Sequence, residues 1–343
     1  MKRSLFMLGV AVAALSGCSQ SEILEVAEGR AIGFSSFVNN NTRAAITEIT
    51  GKENLNTYYV YGYHSYATPV FENVKVTADG TEYTAYWEQG KTYNFAAYSN
   101  GNQKIGSDIS FSASAGDKKL TISNYTPDND NDLVAAIAED LTCNNPSTQG
   151  KVGLTFKHLL SQVKFTFTNT DSRSYTMKIS DIQIANAIKT AKVEFTGTGS
   201  TAVPVWSGSP TGSGVPAYEF DDLNDIAEDG THETECLVIP QSNENLQVTF
   251  TATFWDNASS EEDPIRTGKF VASLKYDNLE SVVGTEANKW TAGFRYNYTA
   301  EVNADDIKDD QNPETLYPIK FNATVSGWGD AASTTVIPGQ PGN

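Results

Sequence analysis

The sequence predicts an all-β protein built as two antiparallel β-sandwiches in tandem, and three observations carry that prediction. From Ala31 onward, apolar side chains alternate with Thr, Asn, Lys or small residues at a period of two almost throughout. That is the pattern of strands with one buried face. Turn dipeptides such as Asp79-Gly80, Asn100-Gly101 and Gly116-Asp117 punctuate the alternating runs, as hairpin connections require. Helical periodicity is scarce, and about 325 residues follow the leader, more than a single core usually holds.

The N-terminus is a leader and a tether. Lys2 and Arg3 precede a mainly apolar run over residues 4–15, shorter than the ~20 residues a permanent transmembrane helix needs. Residues 1–17 therefore read as a signal peptide. Leu15-Ser16-Gly17-Cys18 is a bacterial lipobox pattern, in which small residues admit the signal peptidase and the Cys18 thiol takes the diacylglyceryl group. Each buried acyl CH₂ contributes roughly 0.8 kcal/mol, so a multiply acylated Cys18 holds a membrane firmly. The expectation is an outer-membrane lipoprotein of a Gram-negative bacterium, with residues 18–30 as the lipidated tether.

The first sandwich is expected over residues 31–155. Ile32, Phe34, Ser36 and Val38 alternate with small or polar residues, and so do Tyr93, Phe95 and Ala97. Residues 132–141 contain Leu133, Val134, Ile137 and Ala138, which fit either a short helix or a buried strand. Residues 157–163 break the alternation and predict a kink, and the boundary is placed near residue 155, within about twenty residues. The second sandwich, residues 156–343, repeats the pattern in Val163, Phe165 and Phe167, then Leu246, Val248 and Phe250. Phe294, Tyr296 and Tyr298, then Ile319, Phe321 and Ala323, continue it. Residues 196–217, rich in Gly, Ser, Thr and Pro, predict a long exposed loop.

Charge and composition exclude several functions. The formal net charge is −18, and because Lys2 and Arg3 are the only charges in the leader, its removal leaves −20. Nucleic acid and anionic bilayers, which attract basic patches, are not expected partners. With Cys18 lipidated, Cys143 and Cys236 remain, and two separate buried thiols are expected rather than a bridge. His64, His158 and His232 are scattered, and no Gly-x-Ser-x-Gly elbow surrounds Ser161, so no enzyme and no cofactor are expected. Asp128, Asp130, Asp132 and Glu139 have the spacing of a calcium loop, but Leu133 stands where the sharp turn needs glycine, so an acidic loop is expected. Trp87, Trp255, Trp290 and Trp328 lie in strand-like runs and are expected in cores, which leaves Trp206 as the candidate contact for a glycan.

Several segments, taken in order, resemble one family. After the lipobox come Asn41-Thr42-Arg43-Ala44, then the aromatic run over residues 87–98, Asp132-Leu133-Val134-Ala135-Ala136, and residues 152–165. Leu237-Val238-Ile239-Pro240-Gln241, residues 290–298 and Val325-Ser326-Gly327-Trp328 follow. Together they resemble the fimbrillins, the subunits of type V pili. The resemblance implies two tandem transthyretin-like sandwiches, exported as a lipoprotein to the cell surface. It also implies an arginine-specific protease that removes the lipidated first strand, after which a strand of the next subunit fills the groove. Such strand addition satisfies an open sheet edge and, being head-to-tail, propagates into a fibre.

Carried onto this sequence, the removed strand is residues 31–38, with Ala31, Ile32, Phe34 and Val38. The cleavage site is Arg43, with Arg30 the alternative. The donor is residues 331–337, with Val336 and Ile337 as apolar plugs and Pro338 as their limit. The implied partners are other pilin subunits, the protease, the outer membrane through lipid, and a host protein or glycan. The alternative expectation is a cell-surface glycan-binding lipoprotein.

Overall fold

The structure, a computed structural model, describes residues 30–38, 55–106, 108–257, 263–275, 284–308, 315–327 and 336–337. The chain begins with β1 (Phe34–Val38), β2 (Tyr58–His64), β3 (Thr68–Thr77), β4 (Gly80–Thr81) and β5 (Thr92–Asn100). Next come β6 (Ile109–Ser114), β7 (Asp117–Tyr125), β8 (Leu133–Thr142), β9 (Val152–His158), β10 (Ser161–Asn169) and β11 (Tyr175–Ala185). They are followed by β12 (Ala191–Thr196), β13 (Val203–Gly208), β14 (Pro216–Glu219), β15 (Leu223–Ile226), β16 (Thr231–Val238) and β17 (Gln247–Asp256). The last are β18 (Arg266–Ser273), β19 (Phe294–Val302), β20 (Leu316–Pro318), β21 (Asn322–Gly327) and β22 (Val336–Ile337). The helical elements among the described residues are two 3₁₀ turns, Gly199–Thr201 and Ala304–Asp306, and none is long and apolar enough to cross a membrane.

Four sheets stack in pairs. A seven-stranded sheet runs β1-β9-β8-β5-β2-β3-β4, and a four-stranded sheet runs β13-β12-β7-β6. A five-stranded sheet, β16-β10-β19-β21-β22, faces a six-stranded one, β14-β11-β17-β18-β20, with β15 also on β11. Pairing is mostly antiparallel; β1 with β9, β10 with β19 and β18 with β20 are parallel.

At its centre, along β5 and β8, the seven-stranded sheet is buried on both faces. Along β5, Tyr93, Phe95 and Ala97 enter one core while Ala96 and Tyr98 enter the other. Strand β8 divides likewise, Val134, Ala136 and Ala138 against Leu133, Ala135 and Ile137. This settles the open reading of residues 132–141: the segment is a strand, because period two serves two cores at once. On one face the sheet packs on Leu120, Ile122, Val193 and Phe195 of the four-stranded sheet. On the other it curls until its ends meet. The Ile32 N–H donates to the Ala85 carbonyl at 2.8 Å, and the Trp87 N–H to the Arg30 carbonyl at 3.2 Å.

The hairpins turn where glycine and asparagine predicted. Gly80, Gly101 and Gly116 have φ of +123°, +55° and +80°, values that favour glycine. Gly62 serves packing instead: a Cβ there would lie 2.7 Å from Phe95 Cδ1.

One expectation is corrected. Residues 203–208, expected in an exposed loop, form β13, because β12 and β13 extend the four-stranded sheet beside β7. β13 pairs with β12 just before it, and β12 pairs in turn with β7, some seventy residues back in the chain; the local Gly/Ser/Pro composition carries no trace of the sheet that holds this hairpin. The kink between residues 157 and 163 is present: β9 ends at His158 and β10 starts at Ser161 in a different sheet. Residue 155 lies inside β9, itself a member of the seven-stranded sheet. The remaining strands enclose a single core from Val163 to Val325, in which Phe167 and Phe250 pack edge to face at 4.8 Å and Phe250 and Phe270 stack at 5.2 Å.

Candidate functional site

The first strand closes the curled sheet like a last stave. From Phe34 to Val38 it lies parallel to β9, in register with residues 152–156, and the Val152 N–H donates to the Gly33 carbonyl at 2.8 Å. Its first residues bridge to Tyr86 on the other side. The segment 30–38 is therefore held by hydrogen bonds on each flank and, among its described side chains, chiefly by Ile32 and Phe34. Ile32 and Phe34 are both buried, and the Phe34 ring meets Phe71 at 5.6 Å and Phe95 at 5.5 Å, both nearly edge-on. The cradle continues through Trp87, Leu154 and Phe156. Tyr58, beside Phe156 at 5.3 Å, has its phenol pushed up to about 12 by burial, against the opposing effect of a hydrogen bond with Ser36 of β1.

The structure brings together only part of the expected machinery. Ala31 and Arg30 are exposed, Ile32 and Phe34 face the core, and Val38 lies on β1. Cys18 and Arg43 lie outside the described residues. Val336 and Ile337 form β22, pairing with Thr324 and Ala323 of their own chain; the rest of the 331–343 segment lies outside the described residues.

The other candidate residues are accounted for elsewhere. Trp206 is on β13, partly buried, with its indole N–H donating to the Leu159 carbonyl at 2.8 Å and its ring 5.9 Å from Tyr125. That arrangement turns the expected contact residue toward the protein. Asp128 accepts from the Asp130 N–H at 3.1 Å and the Asn131 amide at 2.9 Å. Asp132 is fully buried and hydrogen-bonds His158 Nδ1 at 2.6 Å, while Glu139 pairs with Lys118 at 3.7 Å. The carboxylates of Asp128, Asp132 and Glu139 thus serve separate local roles, and Asp130 joins them only through its backbone N–H. No group of three or more His, Cys, Asp or Glu side chains able to hold a metal occurs among the described residues. Cys143 and Cys236 are separate, buried, free thiols; burial raises both, Cys236 to about 12.

One residue was missed. Trp255 was expected in a core, yet Val248, Phe250, Ala252 and Phe254 occupy the inward positions of β17, so Trp255 emerges on the outer face and is partly exposed. The parity of that run already contained the signal.

Comparison with known proteins sets these features in context. The family model described as fimbrillin-like matches residues 42–328. No curated protein matches the sequence. A fimbrial protein from Bacteroides vulgatus is similar at a TM-score of 0.53 and 16% identity, over 87% of this chain and 99% of that one. A candidate cell-adhesion protein from Bacteroides eggerthii is similar at a TM-score of 0.50 and 13% identity, over 88% of this chain and 97% of that one. At such identities the likeness is one of fold.

Proposed function

This chain belongs to the fimbrillin-like family, and from that premise we propose that it is a structural subunit of a surface pilus serving adhesion, assembled by donor-strand exchange. The observation that carries the reading is β1: a short edge strand that closes an aromatic cradle and pairs with β9 in parallel across more than a hundred residues of chain. Burial of Ile32 and Phe34 contributes roughly 1.5–3 kcal/mol each, so removal of the strand costs several kcal/mol. It also exposes the backbone groups of β9. A strand from a second subunit restores both.

In this reading Cys18 is lipidated after export and the precursor rests at the outer membrane. An arginine-specific protease cuts after Arg43, with Arg30 as the lesser alternative, and residues 31–38 leave with the lipid. The donor is residues 331–337, released from β21 of its own chain. The family match over residues 42–328 stops short of both β1 and β22, which accords with exchangeable ends. Each subunit is read as two tandem sandwiches, the first completed by the hairpin β12–β13. The role is structural rather than catalytic. The partners are other pilin subunits, and the alternative of glycan binding through Trp206 loses support because its indole N–H is occupied.

The test is limited digestion of the full chain with an arginine-specific protease, read by intact mass and negative-stain microscopy. A single cut after Arg43, loss of the N-terminal peptide and appearance of filaments are expected, with no filaments from a variant lacking residues 331–343. A chain uncut at Arg43, or cut there and still monomeric, would overturn the stalk-subunit reading. Filaments from the truncated variant would overturn the C-terminal donor.

A further inference from the structure

The outer face of the six-stranded sheet carries a cleft of about 330 Å³, lined by Thr176, Lys178, Asn224, Asp225, Trp255 and Asn257. Its floor follows from strand parity. Met177 and Ile179 of β11 point into the core, so Thr176 and Lys178 point out. Thr176 is also the register partner of Trp255 on β17. Its wall follows from a bulge. Strand β15 spans from Leu223 to Ile226 while β11 advances only from Ile179 to Met177. The extra residue is accommodated at Asp225, whose φ is +55°. Leu223 and Ile226 stay buried, and Asn224 and Asp225 are both exposed on the rim. A bulge that re-aims side chains in this way is common beside functional sites.

The chemistry of the lining is specific. Trp255 supplies one flat apolar surface, and the other five side chains are polar. The Thr176 hydroxyl donates to the Asn257 side-chain oxygen Oδ1, which leaves the Asn257 side-chain amide its N–H donors and Thr176 its lone pairs. Lys178 Nζ is 2.9 Å from Asp222 Oδ2, so the cation of the cleft is already neutralised and does not favour an anion. Asp225 and Asn224 add acceptors and a donor. Paired donors and acceptors beside one aromatic face match a ring with adjacent hydroxyls on its edge and C–H groups on its face. The volume falls at the small end of ligand sites, which run from roughly 300 to 1,000 Å³.

We propose that this cleft binds one neutral pyranose unit of a glycan, stacked on Trp255 and hydrogen-bonded by Asn257, Asp225 and Thr176. The site goes beyond the pilus-subunit reading and does not depend on strand exchange, since it lies on a different sheet from β1.

The experiment is saturation-transfer NMR on the full chain with the methyl glycosides of glucose, galactose, mannose, fucose and N-acetylglucosamine, each at millimolar concentration. Methyl glucuronide serves as the acidic control. Transfer to at least one neutral glycoside is expected, lost in Trp255→Ala and weakened severalfold in Asn257→Ala. Loss of an aromatic anchor typically lowers affinity by more than about tenfold. Asn257 is exposed, so its variant keeps the fold and reports binding if Trp255→Ala does not fold. No transfer to any neutral glycoside, transfer to the glucuronide alone, or equal transfer in a folded Trp255→Ala or Asn257→Ala variant would overturn the proposal.

Discussion

Asp171 shows how single side chains lock the ends of these sandwiches. It is fully buried just beyond β10. Its carboxylate accepts from the Arg173 N–H at 3.0 Å, from Arg173 Nε at 2.8 Å and from the Ala304 N–H at 3.2 Å, with Arg173 Nη2 as a further donor. The hydrogen bonds from Arg173 hold its carboxyl below the usual carboxylate range, against the opposing effect of burial. A carboxyl with a depressed folded-state pKa binds its proton less readily folded than unfolded. Its contribution is therefore full above the unfolded value of about 3.9 and is lost as pH falls through the folded value beneath it. Asp171→Asn is expected to cost roughly 1–3 kcal/mol at pH 7, with the gap closing below about pH 4. Urea unfolding at pH 7, 5 and 3 measures it, and a gap independent of pH would remove the electrostatic account. None of this was legible in the sequence, where Ala304 lies over a hundred residues from Asp171.

Among the elements, β1 and β17 differ in how far the sequence foretold them. The alternation of Ile32 and Phe34 predicted both a strand and its buried face. The partner of β1 was not predicted, because period two fixes a face and says nothing of the neighbour. In the fold that neighbour is β9, and the Phe34 ring fills the space between Phe71 and Phe95. Phe34→Ala leaves a cavity there and is expected to cost the precursor about 3–5 kcal/mol. Chain matured by a cut after Arg43 has lost residue 34, so parent and variant are then expected to melt identically. Differential scanning of both forms checks this, and a persisting difference would mean that the first strand stays bound. For β17 the alternation held through Phe254, yet Trp255, an aromatic in a strand-like run, was assigned to the core without regard to its place in that alternation. Parity outweighs residue type here, because an aromatic one step beyond an inward Phe must face out.

At the scale of the whole molecule, the two pairs of sheets are interleaved rather than strung in sequence. Hairpin β12–β13 leaves the later part of the chain to complete the four-stranded sheet, setting Val193 and Phe195 beside Ile122 and Leu120 on the same core face. Lys157 Nζ donates to the Ala202 carbonyl at 3.0 Å, fixing the hairpin to the end of β9. The Leu237 N–H donates to Asn129 Oδ1 at 3.2 Å. A fragment of residues 30–160 lacks that hairpin and Leu237, and its exposed core strands are expected to leave it aggregated or molten. Near-UV circular dichroism and dye binding report this. A fragment with sharp near-UV bands would show that the first sandwich stands alone.

The sequence by itself determined the fold class, most strand faces, the turns at Gly80, Gly101 and Gly116, and the family resemblance, because each is written in local spacing or residue type. Only the tertiary structure decided that β1 closes a curled sheet, that residues 203–208 are a strand, that Trp206 faces inward and that Trp255 floors a cleft. These depend on which distant strands meet, and pairing energy in a sheet comes from neighbours that lie, as β1 and β9 do, more than a hundred residues apart in the chain.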